Sequence, residues 1–284
     1  MAELSELLDV LHLEPGDGGV LTGQNLKVGG GSVVFGGQLL AQSLIAGASI
    51  DDTKHVKSLH TIFARGAALD VPLTYDVETL QQGRAFASAS VTARQGDRLC
   101  TRSSVLLSAE EPDLIRHQAD APSAGTPAEA TPGGHGPDYW EIRSVGGVDI
   151  ADPDEVGPPE LGVWTRFRGD PLDVTTSQAL LAFASDGFLI GTAMRPHPGA
   201  GQKLAHITIS TSVIAHTMSF HEPFDATEWM LLQHESPYAG RGRSHGRAQV
   251  FTEDGRLVAS FTQENMIRDY PAGQAPAPGR RAAH

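Results

Sequence analysis

The feature that most constrains this chain of 284 residues is an internal repeat. One stretch runs from "HTIFARGAALDVPLTYDVETL" near position 60 to "QGDRLCTRSSVLL", and a second runs from "HTMSFHEPFDATEWMLLQHES" near position 216 to "EDGRLVASFTQENMI". Each contains a His-Thr pair, a strand, a Gly-Arg pair and further strands around an acidic turn. An ordered series of this kind predicts two units of one structural type joined in tandem.

Each repeat is preceded by a segment that reads as an apolar helix. These segments are "GGQLLAQSLIAGAS" (36–49) and "TTSQALLAFASDGFLIGTAM" (175–194). A helix that is apolar on nearly every side is buried, and the segments that follow alternate like antiparallel strands joined by short turns. We therefore predict an α+β fold in which two antiparallel sheets each wrap around a long central helix.

Composition suggests where the two units meet. The segment "SAEEPDLIRHQADAPSAGTPAEATPGGHGPD" is rich in Pro, Gly, Ala and acidic residues, which is typical of a linker. We expect an N-terminal unit at 1–108, a linker at 109–138, a C-terminal unit at 139–270 and a disordered tail at 271–284.

Charge and cysteine content exclude several classes of protein. The net charge of −13 argues against a nucleic-acid binder, which normally shows a basic face. The lone Cys100 excludes an intrachain disulfide framework and a multi-cysteine zinc site, and the histidines form no HxH or HExxH motif, so we expect no metal. No apolar run approaches the roughly 20 residues that span a bilayer, and the N-terminus does not resemble a signal peptide. We predict a soluble, cytoplasmic protein with no membrane partner.

Asp186 interrupts the apolar run of the second predicted helix. A carboxylate in an apolar setting needs partners or shifts its pKa. It could serve structure alone, by ending the helix or bonding to backbone, and Gly187 would suit a break. The first helix carries no acid, however, so the fold does not require one. This asymmetry favours a functional site in the second half.

Gln263 is a second polar residue in an apolar pattern. On the last predicted strand it shares a face with Leu257, Ala259 and Phe261, so it should point inward. The aligned position of the first half is Val105. A glutamine at a strand end could merely bond to backbone, but two polar residues confined to one half again favour a single site.

Several motifs, in order, resemble the bacterial and peroxisomal type II acyl-CoA thioesterases. They are "VFGGQLLAQSLIAG" (34–47), "LTYDVETLQQGRAF", "ASDGFLI" and "FTEDGRLVASFTQENMIR" (251–268). The resemblance covers nearly all of the chain except the linker and tail. It implies a double hotdog fold and the hydrolysis of acyl-CoA to a free fatty acid and CoA, without a cofactor.

In the resembling family an Asp, a Ser or Thr, and a Gln position the hydrolytic water. The Asp and Gln correspond to Asp186 and Gln263. The hydroxyl position falls on Val213, and a one-residue bulge would bring Ser212 there instead, with Thr211 beside it. Otherwise the third member is missing or replaced. That departure leaves open an alternative: an acyl-CoA-binding or scaffold protein with reduced or lost hydrolase activity.

The residue types suggest direct attack by water. A thioester is electrophilic enough for a well-placed water, with Asp186 as general base and the Gln263 amide fixing the geometry. The chain has no GxSxG elbow for a nucleophilic serine. A hotdog dehydratase or hydratase would need an Asp–His pair on the helix, and that helix has no His.

Candidates for holding the two ends of acyl-CoA are less distinctive. Arg241 and Arg243 come from "GRGRSHGR" (240–247), the densest basic stretch, and could bind the phosphates, although a solvated turn explains them as well. Phe188 and Phe220 could line the acyl chain, although core packing explains them equally. Edge strands of such sheets often pair between subunits, so we expect a homo-oligomer.

Overall fold

The computed structural model describes residues 3–16, 19–28, 33–133 and 137–270. The predicted tail at 271–284 lies outside these residues. The helices are α1 (Leu4–Leu11), α2 (Gly36–Ala48), α3 (Val174–Ser185) and α4 (Leu189–Met194). The strands are β1 (Glu14–Pro15), β2 (Leu21–Gly23), β3 (His55–Phe63), β4 (Leu73–Gln82), β5 (Phe86–Gln95), β6 (Arg98–Ser108), β7 (Thr131–Pro132), β8 (Trp140–Ser144), β9 (Glu160–Phe167), β10 (Ile209–Phe220), β11 (Met230–Gly240), β12 (Arg243–Thr252) and β13 (Leu257–Asp269).

The strands of the described residues form one antiparallel sheet. Their order is β1-β2-β4-β5-β6-β3-β10-β13-β12-β11-β9-β8-β7. The halves join where β3 pairs with β10, with Thr61 opposite His216. We predicted two separate sheets; instead, these two strands meet and satisfy the backbone groups that each would otherwise leave unpaired at a sheet edge.

Two helices fill the interior that the sheet covers. The predicted helix at 36–49 is confirmed as α2, and nearly all of its residues are buried. The start of α2 lies against the end of α3, where Phe35 and Phe183 make an edge-to-face contact with centroids 5.1 Å apart. Leu39, Leu44 and Leu180 belong to the same apolar core.

The predicted helix at 175–194 is broken. α3 ends at Ser185, Asp186 is its C-cap, and α4 begins only at Leu189. The hydroxyl of Ser185 donates to the carbonyl of Ala182 in the last turn, which satisfies a backbone group that a continuing helix would have used. The expectation of one long second helix was therefore wrong, and the break leaves Asp186 at a helix end.

The predicted linker carries structure. Within 109–138, Thr131–Pro132 forms β7, which pairs with β8. Gln118 exchanges hydrogen bonds with the backbone of Gly255 and Leu257 in the hairpin between β12 and β13. At Gln118 and at β7, this segment therefore contacts the C-terminal half.

The His-Thr pairs of the repeat do not occupy equivalent places. His60 and Thr217 face outward and share a hydrogen bond of 2.8 Å, whereas Thr61 and His216 are buried. Thr61 stands opposite His216 and lies on the same face of the sheet. Ser103 lies beside Thr61 in the sheet, and Gln263 lies beside His216. The alignment of Gln263 with Val105 agrees with the helix contacts, because a Cβ on Gly47 near the end of α2 would meet Val105, and Gln263 contacts Asp186 at the end of α3.

No helix in the described part of the chain combines the length and the apolar character needed to cross a membrane.

Replacing Gly37 with alanine should loosen the contact between α2 and α3. A Cβ on Gly37 would lie 2.2 Å from the carbonyl oxygen of Phe183, which is too close for the helices to keep their separation. We expect Gly37→Ala to lower the free energy of unfolding by about 1–3 kcal/mol in urea titrations. The control Gly187→Ala, whose Cβ would meet its nearest atom at 3.6 Å, should change it by about 0.5 kcal/mol or less. Equal stability of the two variants would contradict this packing.

Candidate active site

The carboxylate of Asp186 lies where the end of α3 meets the start of α2. The residue is half-buried and accepts a hydrogen bond from the backbone N–H of Gly37, the second residue of α2. The fit around it is tight, since a Cβ on Gly36 would lie 2.6 Å from Asp186 Oδ2. The first half of the chain thus supplies both the space and a backbone donor for a carboxylate of the second half.

Burial raises the pKa of Asp186 to about 7, because the charged form loses hydration in this apolar surrounding. The Gly37 N–H acts in the opposite direction, since it stabilises the carboxylate. The positive end of the α2 dipole favours the same charged form. Asp186 therefore titrates near neutrality, which suits a general base.

Gln263 on β13 holds the other side of Asp186. Its Nε2 donates to Asp186 Oδ1 over 3.2 Å, and the residue is 1 % exposed. Its Oε1 is buried without a hydrogen-bond partner among the described residues. The inward orientation predicted from the strand pattern is confirmed.

Behind Gln263, the hydrogen bonds continue to His216 and Ser185. Gln263 Nε2 lies 3.3 Å from His216 Nδ1, and His216 Nε2 lies 3.1 Å from Ser185 Oγ. Burial lowers the pKa of His216 to about 3, so its ring is neutral at working pH. Ser185 of α3, His216 of β10 and Gln263 of β13 therefore form one hydrogen-bonded series inside the core.

Asp186 borders a cavity of about 570 Å³, a size usual for small-molecule sites. Its wall comes from both halves of the chain. The described residues that line it are Val28, Val33, Val34, Phe35, Gly36, Leu39, Phe63, Ala64, Arg65, Gly66, Asp186, Gly187, Ile190, Gln202, Ala205, His206, Thr211, Ser212, Val213, Ile214 and Met266. Most of these are apolar, with Asp186 among the few charged groups.

The position of the expected hydroxyl lies in the same cavity wall. The pairing of β10 with β13 shifts register between Val213 and Ala215, so a one-residue bulge is present beside Val213. Ser212 Oγ donates to the carbonyl of Val213 at 3.0 Å, and Thr211 Oγ1 lies 3.5 Å from His206 Nε2. Ser212 and Thr211 thus both border the cavity, and the catalytic role of Ser212 stays a prediction.

The other predicted substrate-binding residues lie further away. Arg241, in the turn after β11, and Arg243, at the start of β12, do not line the cavity. Arg243 pairs with Met266, which pairs with Ser212, so it lies roughly 10 Å away across two strand spacings.

The two predicted phenylalanines lie apart from the cavity wall. Phe188 packs in the core against Trp140 and His234. Phe220 lines a different cavity at the far end of β10, roughly 23 Å along the strand from Val213.

Sequence reasoning missed the contribution of Gly36 and Gly37. Both stand in the motif "VFGGQ", where two glycines at a helix start suggest a close approach. Sequence reasoning also missed Ser185 and the part that His216 takes in the hydrogen-bonded series. Among the described residues, no three His, Cys, Asp or Glu side chains are grouped as a metal ion would require.

Comparison with known proteins covers both halves. The family model described as the acyl-CoA thioesterase N-terminal domain matches residues 26–108, and that of the C-terminal domain matches residues 117–267. The chain is 33 % identical to acyl-coenzyme A thioesterase 8 of Rattus norvegicus, over 92 % of this chain and 88 % of that protein.

Solved structures agree with this match. The acyl-CoA thioesterase II TesB2 of Mycobacterium marinum has a TM-score of 0.78 and 29 % identity, over 95 % of this chain and all of that one. A protein of Alicyclobacillus acidocaldarius described as having a hot dog fold has a TM-score of 0.75 at 19 % identity, over 93 % and 98 % of the two chains, which supports the fold alone. With both domain models matched in order and the resemblance of the motifs confirmed, this chain belongs to the type II acyl-CoA thioesterase family.

Proposed function

We propose that this protein hydrolyses acyl-CoA to a free fatty acid and CoA at the cavity beside Asp186. The observation that carries the proposal is the carboxylate of Asp186, held between the Gly37 N–H and Gln263 Nε2 at the edge of that cavity. The family of the chain supports the same activity.

In the proposed reaction, ionised Asp186 takes a proton from a water molecule whose oxygen attacks the thioester carbon. The C–S bond then breaks, and the proton passes from Asp186 to the CoA sulfur, which leaves as a thiol. The buried Oε1 of Gln263 can accept a hydrogen bond from the water and fix its direction. The N–H groups of Gly37 and Gln38 donate to Asp186 and to the carbonyl of Phe35, so we assign the role of polarising the thioester carbonyl to the N–H of Gly36, the first residue of α2, in the cavity wall.

We infer that the architecture is a double hotdog, with α2 and α3 as the central helices of the two units. Both helices are buried, and α2 packs on β3 to β6. Phe183 of α3 contacts Trp140 of β8 and Phe167 of β9, and α4 packs on β11 and β12. The strands of the two units merge into one sheet at β3 and β10. In this arrangement the site needs both units, because the start of α2 faces the end of α3.

The two ends of the substrate would occupy different surroundings. The acyl chain fits the apolar wall formed by Val34, Phe35 and Leu39, and Phe188 and Phe220 are not needed there. Arg65 in the cavity wall, with Arg241 and Arg243 roughly 10 Å away on the β11–β12 hairpin, offers cations for the CoA phosphates.

Three further expectations stay predictions. Ser212 would add a hydroxyl beside the water, since it borders the cavity next to Val213. Assembly into a homo-oligomer and a cytoplasmic location are inferred from the sequence alone.

Replacing Asp186 with asparagine should abolish hydrolysis. The amide keeps the size of the side chain but cannot take the proton from water, so we expect kcat to fall by about 10²–10⁴. Release of the CoA thiol, followed with a thiol reagent over a series of acyl chain lengths, measures this. Full activity of Asp186→Asn would contradict the proposal. A wild-type protein that binds acyl-CoA without releasing thiol would instead support the alternative of a binding protein.

A change in the other half of the chain should also impair catalysis. A Cβ on Gly36 would collide with the carboxylate of Asp186, so we expect Gly36→Ala to lower kcat by about tenfold or more. The control Gly47→Ala crowds the same helix at its far end, where a Cβ would lie 2.5 Å from Val105 Cγ2. It should lower stability while kcat stays near wild type. If both variants keep wild-type kcat, the start of α2 is not part of the site.

The raised pKa of Asp186 predicts two pH dependences. Since the base must be ionised, kcat/KM should rise as the pH increases toward about 7 and then level off. The stability of the folded state shows the opposite dependence on pH. The pKa is 3.8 before burial and about 7 in the folded protein, so the folded state retains a proton that the unfolded chain has lost, and stability falls across this range.

Comparing wild type with Asp186→Asn isolates this contribution from other carboxyl groups. At about pH 8 the variant should be more stable than wild type by about 2–4 kcal/mol. We expect the lower end of this range, because solvent in the cavity that the carboxylate borders screens its charge. At about pH 4 the difference should nearly vanish. Urea unfolding at both pH values measures it, and a pH-independent difference would show that Asp186 titrates normally.

A further inference from the structure

The hydrogen-bonded series of Gln263, His216 and Ser185 runs in one consistent direction from donor to acceptor. An amide nitrogen can only donate, so His216 Nδ1 accepts from Gln263 Nε2 across their 3.3 Å separation. The neutral ring then carries its proton on Nε2, which donates to Ser185 Oγ at 3.1 Å. Ser185 Oγ donates in turn to the carbonyl of Ala182 at 2.8 Å. Every proton in this series has an acceptor.

Ser185 determines the direction of the series. Its hydroxyl lies in the last turn of α3, where backbone carbonyls lack partners within the helix, and the shorter of its two hydrogen bonds goes to Ala182. With its proton committed there, Ser185 can only accept from His216. The ring must therefore present a bare Nδ1 to Gln263.

The orientation of the Gln263 amide matters for Asp186. In the observed orientation, the NH₂ group donates to Asp186 and leaves Oε1 unpartnered among the described residues. If the amide turned over, its oxygen would face the carboxylate oxygen 3.2 Å away, an arrangement that suits only a protonated Asp186. The bare Nδ1 of His216 excludes this turned amide, because oxygen and bare nitrogen both lack a proton.

We infer that Ser185 and His216 are positioning residues, which act through Gln263 to keep its amide NH₂ on Asp186 and its oxygen free for the water. This inference rests on the proposed hydrolytic role of Asp186 and Gln263. Ser185, His216 and Gln263 are 0 %, 1 % and 1 % exposed, so solvent does not compete for their hydrogen bonds. His216 is further fixed by stacking on Phe261, with centroids 5.4 Å apart.

Few other titratable groups adjoin this series in the described part of the chain. The cavity wall that Asp186 borders contributes Arg65 and His206. His216 is influenced by His60 of the neighbouring strand β3. Neither Ser185 nor Gln263 carries charge, so replacing Ser185 changes hydrogen bonding while the charged groups stay in place.

The decisive variant is Ser185→Ala. Without the acceptor at Ser185, the His216 ring can carry its proton on Nδ1, and the Gln263 amide can turn to accept it. We expect NMR of protein labelled at the histidine ring nitrogens to show the proton of His216 moving from Nε2 to Nδ1. In thiol-release assays, we expect kcat to fall about tenfold with KM nearly unchanged, and the apparent pKa of kcat/KM to rise by about one pH unit.

Ser43→Ala is the matched control. Ser43 lies in α2, the sister helix, and its hydroxyl is buried without a hydrogen-bond partner among the described residues. This variant removes the same atom from a buried helix but should leave the His216 proton and the pH profile unchanged. If it shifts the pH profile as Ser185→Ala does, the effect is structural and the inference fails.

A second pair of variants covers the case in which Ser185→Ala does not fold. His216→Asn can offer an oxygen near the place of Nδ1 and should retain much of the activity, whereas His216→Leu cannot accept and should shift the pH profile upward. Equal profiles of these two variants would overturn the inference. So would a Ser185→Ala protein with the wild-type ring proton, or one whose proton moves while its pH profile does not. If the wild type lacks thioesterase activity, the proposed function fails, and the position of the His216 proton still decides whether the series exists.

Discussion

The hydrogen bond from the Gly37 N–H to the Asp186 carboxylate joins the two halves of this molecule at the proposed active site. It requires that α2 begin where α3 ends, that two glycines stand at that start, and that the second apolar helix stop at Ser185. The junction of β3 with β10 holds the two halves in the register that brings these helix ends together. Fold and site therefore depend on the same contact.

A carboxylate at this place is costly for folding and useful for chemistry. Burial raises its pKa to about 7, so ionisation at neutral pH opposes folding. The helix start and Gln263 reduce that cost without removing it, which leaves a carboxyl group with a pKa near neutrality, as the proposed role of general base requires. The fold tolerates the charge because aromatic packing around α3, with Phe183 between Phe35 and Trp140, stabilises the interior independently.

Much of this arrangement follows from sequence patterns. The apolar helix at 36–49, the strand pattern that turns Gln263 inward, and the contrast between Asp186 and the acid-free sister helix are local signals. Other features depend on contacts between distant segments, which a single sequence does not reveal. The break after Ser185, the one-residue shift between the His-Thr pairs, and the merging of two sheets into one all depend on how the halves pack. The pairing of Asp186 with Gly36 and Gly37 needs two helices separated by well over a hundred residues to meet, and nothing in either segment alone specifies the partner.

The central claim is that acyl-CoA is hydrolysed at the cavity where both halves meet. A crystal structure of Asp186→Asn with an uncleaved acyl-CoA tests it most directly. The account predicts that the thioester carbon lies beside residue 186 and Gln263, with its carbonyl oxygen near the first turn of α2. Binding of the thioester in the cavity at the opposite end, beside Gln178 and Phe220, would contradict it.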